Sequence, residues 1–350
     1  MAFYSGIFDS LGLREWCDAD KQDGPLSMAQ LIARRKAAEA GGDAQAAMDA
    51  VSGPAPFPSL DELHRACDAI PRTRDFTSGA EQLFLDVKDP LKVVLDPITQ
   101  PLSFLLDNAL ELFMWMPWFV LIPLLALLTW VATRSWKVLA LVAASFLGMA
   151  FIDHYDYAVQ TLSIVFVCTI FCVVLGVPIG IAMARSDRLQ GGLTPVLDML
   201  QTLPTFVYLI PLIFLFSVTE SKLYGIAIIL YAIVPVIRLT SLGIRLVDRD
   251  VIEAADAFGM TSRQKLWGVQ IPLALPNIMA GVNQTIMMSL AMVVIASLVS
   301  APGLGVLVLR GIRNLELGVG LVSGLCIVLL AIVLDRSTKA ALERIDRSER

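Results

Sequence analysis

From residue 117 onward the chain is a series of long apolar runs separated by short polar linkers. The runs fall at roughly 117–133, 138–152, 158–184, 194–217, 224–241, 277–299 and 318–334, and most approach the ~20 residues that a helix needs to cross a bilayer. Seven transmembrane helices are therefore predicted. The first 116 residues are patterned differently. Residues 27–50 are Ala-rich and helix-prone, and the segment Val51–Pro58, VSGPAPFP, reads as a break. Residues 80–113 alternate apolar stretches with Asp86, Lys88, Asp89, Lys92, Asp96, Asp107 and Glu111. Prolines at 90, 97 and 101 should cut that stretch into short amphipathic pieces lying in the membrane interface. The expected organisation is a partly helical extramembrane tail over 1–80, interfacial helices over 81–116, a transmembrane domain over 117–334 and a second tail over 335–350.

Linker charge orients the spans, because basic residues gather on the cytoplasmic side. Arg134 and Lys137, then Arg185 and Arg188, then Arg238, Arg245, Arg249, Arg263 and Lys265 mark alternate linkers, with Asp153, His154 and Asp156 between the first two. The N-terminus is expected outside and the C-terminus inside. Arg310 and Arg313 fall on the outer side against this rule, where the start PGLG, Pro302–Gly305, predicts a structured loop. The opening Met1–Asp9 lacks the basic start and apolar stretch of a secretory signal peptide.

Composition agrees with a polytopic membrane protein: 56% of residues are apolar and 17% charged. The net charge of −5 hides an asymmetry, since residues 1–116 hold 18 acids and 10 bases while residues 117–350 hold 14 and 17. Catalytic equipment is lacking. The chain has no Gly-x4-Gly-Lys-Ser/Thr loop to cradle ATP phosphates. Its two histidines, His64 and His154, accompany no paired metal ligands, and the cysteines at 17, 67, 168, 172 and 326 have no metal or disulfide spacing. Neither enzymatic activity, a metal site nor a nucleic-acid partner is expected.

One polar segment stands out. Between the apolar runs ending near Arg238 and starting near Asn277, the chain reads EAADAFG over Glu253–Gly259 and VQIP over Val269–Pro272. Asp248 and Asp250 favour a helix start, and Ala254, Ala255 and Ala257 favour its continuation. Gly259 suits a chain reversal, and Thr261 or Ser262 can cap a second short helix carrying Arg263, Lys265 and Trp267. Pro272 and Pro276 would then delimit the approach to the next span. The spacing Glu-Ala-Ala, three residues, Gly, nine residues, aliphatic-x-aliphatic-Pro resembles the EAA loop of ABC importer permeases. That resemblance implies an ATPase-coupling loop, 248–272, whose contact residues are Glu253, Ala254, Ala255, Phe258, Gly259, Arg263 and Pro272.

Further stretches narrow the likeness. LDMLQTLPTFVYLIP (Leu197–Pro211), MAGVNQT (Met279–Thr285), MVVIAS (Met292–Ser297) and VLRGI (Val308–Ile312) make residues 102–335 similar to the glycine betaine/proline betaine and choline permeases. The resemblance implies an all-α type I ABC importer membrane subunit in the bacterial inner membrane, carrying glycine betaine, proline betaine, choline or trimethylamine N-oxide. Its implied partners are a second copy of itself, two ATP-binding subunits that hold ATP and Mg, a periplasmic substrate-binding protein and membrane lipid. This chain would hold no cofactor.

Pathway residues are read from chemistry. A quaternary ammonium is held by aromatic faces, which singles out Phe206 and Tyr208 between Pro204 and Pro211. Asn283, Gln284, Thr285 and Ser289 form a polar patch that could either line the pathway or join two copies. Prolines at 178, 204, 211 and 235 inside spans free backbone carbonyls that must be buried or face a cavity. Three other classes compete. A permease for another solute, such as an amino acid, would share the EAA loop. A proton- or sodium-coupled transporter would place acids near the midplane, where only Asp198 comes close, and it is expected to cap or to pair with Arg185 or Arg188. A membrane scaffold would leave the EAA loop unexplained.

Overall fold

The structure, a computed structural model, describes residues 28–39 and 73–348. The predicted break at Val51–Pro58, the opening Met1–Asp9, and His64, Cys17 and Cys67 lie outside them. Among the described residues the chain is helical, with no strand. It divides into units 1–89 and 90–350. In the first unit, α1 (Met28–Glu39) falls within the Ala-rich stretch predicted to be helical.

Helix α2 (Thr73–Trp115) runs through all three prolines expected to break it. They sit on its exposed side, as do Asp86 and Val93, whose carbonyls Pro90 and Pro97 cannot bond. Leu95, Thr99, Leu102, Leu106, Ala109 and Phe113 recur at alternating spacings of four and three, which gives one continuous stripe. Residues 90–115 thus do not form separate interfacial pieces: Leu102 and Leu106 are buried in the hydrophobic core, and Phe113 meets Phe166 at 6.2 Å.

After Pro117 the chain turns by 113° into α3 (Trp118–Thr133), followed by α4 (Trp136–Phe151) and α5 (Tyr155–Arg185). The run predicted as one span over 194–217 is broken. It forms α6 (Asp187–Thr202) and the short α7 (Leu209–Leu215), with Pro204 in the gap. Next come α8 (Ser221–Arg245), α9 (Arg249–Ala257) and α10 (Ser262–Lys265), then a π-helical turn at Leu266–Gln270, α11 (Ile271–Ala296) and a 3-10 turn. The described chain ends with α12 (Leu304–Arg313) and α13 (Leu317–Ser348).

The seven predicted spans therefore reduce in number. Four helical runs are long and apolar enough to cross a membrane: α5, α8, residues 262–299 and residues 317–341 of α13. The bent pair α2–α3 makes a fifth if its two helices are counted as one span. Helices of 16 residues, such as α3 and α4, reach only about 24 Å at ~1.5 Å per residue, short of the ~30 Å hydrocarbon core.

Small residues set the packing of the three central helices, since without a side chain two backbones can close on one another. Helix α5 runs parallel to α8. Cys168 and Cys172 direct their thiols at the carbonyls of Gly225 and Ile229, at 4.0 and 3.9 Å. A Cβ added at Gly180 would lie 2.7 Å from both Ile237 O and Thr240 Cβ. Helix α8 runs antiparallel to α11, with Gly243 against Asn277 and Gly281 against Val236. The predicted loop at Pro302–Gly305 instead leads directly into α12. Gly303 there has φ +118°, and Thr161 Oγ1 accepts a hydrogen bond from Leu304 N at 2.9 Å. Arg310, at the far end of α12, pairs with Glu316 at 3.1 Å.

Candidate coupling loop and translocation pathway

The segment between α8 and α11 is built almost wholly from local rules. Asp248 caps α9 by accepting from Asp250 N at 3.0 Å. At the other end Gly259 takes φ +72°, a left-handed conformation that a Cβ disfavours. Gly259 N donates to Asp256 O at 2.9 Å and Met260 N to Ala255 O at 3.1 Å, the paired bonds of a Schellman stop. Thr261 then opens α10 with a capping box: Gln264 Oε1 accepts from Thr261 N at 2.9 Å, and Gln264 N donates to Thr261 Oγ1 at 3.4 Å. Lys265 Nζ bonds both oxygens of Asp256, at 2.6 and 2.8 Å, and so clamps α10 to α9.

Pro272 falls in the first turn of α11, at the approach to the next span as expected, and Pro276 lies inside that helix. Helix continues from Ser262 to Val299, and the π turn lies directly before Pro272. Without an N–H, Pro272 cannot bond Gly268 O, and its ring crowds that carbonyl. The chain widens instead, with Ile271 N donating to Leu266 O. The wider turn thereby accommodates the proline without interrupting the helical path.

Of the contact residues read from the sequence, Ala255 is buried and Pro272 half-buried, whereas Glu253, Ala254, Phe258, Gly259 and Arg263 are exposed. Phe258 is 85% exposed and Trp267 61%. Two large aromatic side chains on a clamped, projecting turn form a rigid knob with an apolar tip. Behind the knob lies a cleft of about 510 Å³, lined in part by Arg185, Arg245, Arg249, Glu253 and Lys265. Arg245 is anchored there by Asp187 at 2.7 Å and Met183 O at 2.9 Å.

The pathway candidates separate. Phe206, in the gap between α6 and α7, is 59% exposed. Tyr208 is half-buried and donates to Met292 Sδ at 3.6 Å. Beside this gap, Gln201 Nε2 donates to the carbonyl of Tyr231 at 3.2 Å, a neighbour that sequence spacing gave no reason to select. The polar patch on α11 is dispersed. Thr285 is fully buried and donates to Ala232 O at 2.8 Å, and Ser289 is buried with no hydrogen-bond partner among the described residues. Asn283 reaches Asp335 at 2.9 Å, and Gln284 is exposed. Thr285 and Ser289 are therefore enclosed within this chain. Asp198 pairs with Arg238, not with Arg185 or Arg188.

Asp335 and Lys222 carry polar contacts that the sequence did not reveal. Lys222 is buried, and its Nζ lies 2.7 Å from both Asp96 and Glu220 and 5.2 Å from the Phe216 ring. Ser221 donates to Asp107 on the same helix as Asp96. Among the described residues, no cluster of three His, Cys, Asp or Glu side chains could hold a metal ion.

The described residues thus form an all-helical domain with several membrane-length helices and a capped two-helix loop between two of them. Residues 176–349 match the family described as binding-protein-dependent transport system inner membrane component, and a permease relative 41% identical over 80% of its own length shows that the chain belongs to this family. It is 41% identical over 295 residues to the glycine betaine/proline betaine transport system permease protein ProW of Escherichia coli (strain K12), covering 83% of this chain and 80% of that protein. Identity is 44% over 215 residues with the glycine betaine transport system permease protein OpuAB of Bacillus subtilis (strain 168), covering 61% and 75%. With the trimethylamine N-oxide transport system permease protein TmoV of Ruegeria pomeroyi it is 35% over 252 residues, 71% of this chain and 37% of that longer one. In fold, the chain is similar to the solved inward-facing MetNI methionine ABC transporter, with a TM-score of 0.50 at 19% identity, covering 55% of this chain and 95% of that one.

Proposed function

We propose that this chain is the non-catalytic permease subunit of an ATP-driven importer that moves a small methylated amine, glycine betaine or a close analogue, across the bacterial inner membrane. The observation that carries this reading is the capped knob at 248–272 on a chain related over most of its length to a betaine permease. Two copies of the chain would enclose one pathway. Two ATPase subunits, holding ATP and Mg, would grip the exposed tips at Phe258 and Trp267, and a periplasmic binding protein would deliver the amine. Alternating access then follows from rigid-body rotation driven through the two knobs.

Glu253, Ala254, Phe258, Gly259 and Arg263 are assigned to the ATPase contact, with Ala255 and Pro272 supporting them from below. Phe206, Tyr208 and Gln284 are assigned to the pathway, where an aromatic face attracts a methylated ammonium that has no N–H to donate. The test is uptake of radiolabelled glycine betaine by cells carrying Glu253→Lys or Gly259→Trp. Both should abolish uptake while the protein remains in the membrane at its normal level. Normal uptake by either variant would overturn the coupling role.

A further inference from the structure

Asp335 is the first charged residue of α13 and stands at the end of its apolar run, within the span-length segment Leu317–Ala341, where a carboxylate close to hydrocarbon is costly unless it is paired. Its side chain is 23% exposed. Oδ1 accepts from Asn283 Nδ2 at 2.9 Å, and Lys339 Nζ donates to Oδ2 at 2.9 Å. The amide oxygen of Asn283 is itself buried and has no hydrogen-bond partner among the described residues. Among the described residues, Asn283–Asp335 is the one side-chain hydrogen bond joining α11 to α13. Apolar contacts can slide, whereas a half-buried charge-assisted bond such as this one has a fixed length and direction. Asn283 stands on the same helical run that begins at Ser262 inside the knob.

We propose that Asp335 is a positioning residue of the transport cycle: its bond to Asn283 ties α13 to the helix that carries the coupling knob, so that displacement of the knob is handed on to α13. Lys339, one turn further along, holds the carboxylate charged and oriented toward α11. This inference rests on the proposed function, because it requires the knob to be moved by an ATPase.

The experiment uses the complete complex, with its ATPase and binding protein, in proteoliposomes. Three quantities are read: ATP hydrolysis, glycine betaine taken up per ATP, and the ATP-induced change in distance between spin labels at Ile170 in α5 and Leu325 in α13. Asp335→Ala and Asn283→Asp should each reduce uptake per ATP by about tenfold, within the range usual for coupling between sites, with hydrolysis continuing and the distance change lost. The exchanged pair Asn283→Asp with Asp335→Asn restores one amide facing one carboxylate and should recover both readouts. A purely structural contact would lower the amount of folded complex without uncoupling what remains. Unchanged uptake per ATP and distance change in Asp335→Ala, or an exchanged pair no better than Asn283→Asp alone, would overturn the proposal. A wild-type complex whose α13 moves on ATP but which takes up no betaine contradicts the cargo reading and still supports the coupling.

Discussion

Single residues act here mostly through what their removal would expose. Lys222 is the strongest case: two carboxylates, Asp96 and Glu220, converge on its ammonium at 2.7 Å, and both are about one-third exposed. Lys222→Met keeps the apolar stem but leaves two like charges facing one another. Truncating one partner of a fully buried pair costs about 3–5 kcal/mol, and the partial exposure of the acids reduces this to about 1–3 kcal/mol here. A lower thermal midpoint in detergent is expected, and an unchanged midpoint would show that the pair does not hold these segments together. Residues governed by near neighbours were legible in the sequence. Asp248, Gly259 and Thr261 obey capping rules that operate within three or four positions. The ties of Lys222 to Asp96 and of Asp335 to Asn283 were not, because they join positions 126 and 52 apart and no periodicity records such distances.

At the scale of elements, apolar runs located α5, α8, α11 and α13 well, since length and hydrophobicity alone decide whether a helix can span a bilayer. Proline was the recurrent source of error. Pro204 lies in the break between α6 and α7, as a helix-distorting proline should, whereas Pro90, Pro97 and Pro101 are accommodated inside α2 and Pro272 and Pro276 within one continuous helical path. What distinguishes them is their surroundings, exposed on α2 and relieved by the π turn before Pro272, and sequence does not display surroundings. Pro272 also yields a prediction. With alanine there, an N–H becomes available to Gly268 O and the wide turn can revert to ordinary helix, turning the knob by about 100° relative to α11. Pro272→Ala should therefore be as stable as the wild type in a thermal melt yet import poorly. Full uptake by this variant would show that the orientation set by the turn is unimportant.

For the whole molecule, the helical class and the family's loop were legible, while the number of membrane-crossing helices was not. Apolar runs such as 117–133 and 138–152 read as spans in isolation, yet they form 16-residue helices, one of them bent sharply against its predecessor. The pathway candidates also depended on three dimensions: Thr285 and Ser289 share a helix face with good reason, but that face is covered by this chain's own residues. On the proposed reading, two copies are needed to enclose a path. Native mass spectrometry of the purified complex should then give two copies of this chain with two ATPase subunits, and a single copy would contradict the arrangement.

The helix from Ser262 to Val299 spans 38 residues, about 57 Å at ~1.5 Å per residue, nearly twice the ~30 Å hydrocarbon thickness. Such a rod multiplies angles into distances. Pivoting by only about 5° around one end sweeps the other through about 5 Å, roughly the pitch of one helical turn. A tilt too small to disturb the tight glycine seams of the core could thus move the far end by a full turn, which reconciles a rigid interior with a large stroke at its edge.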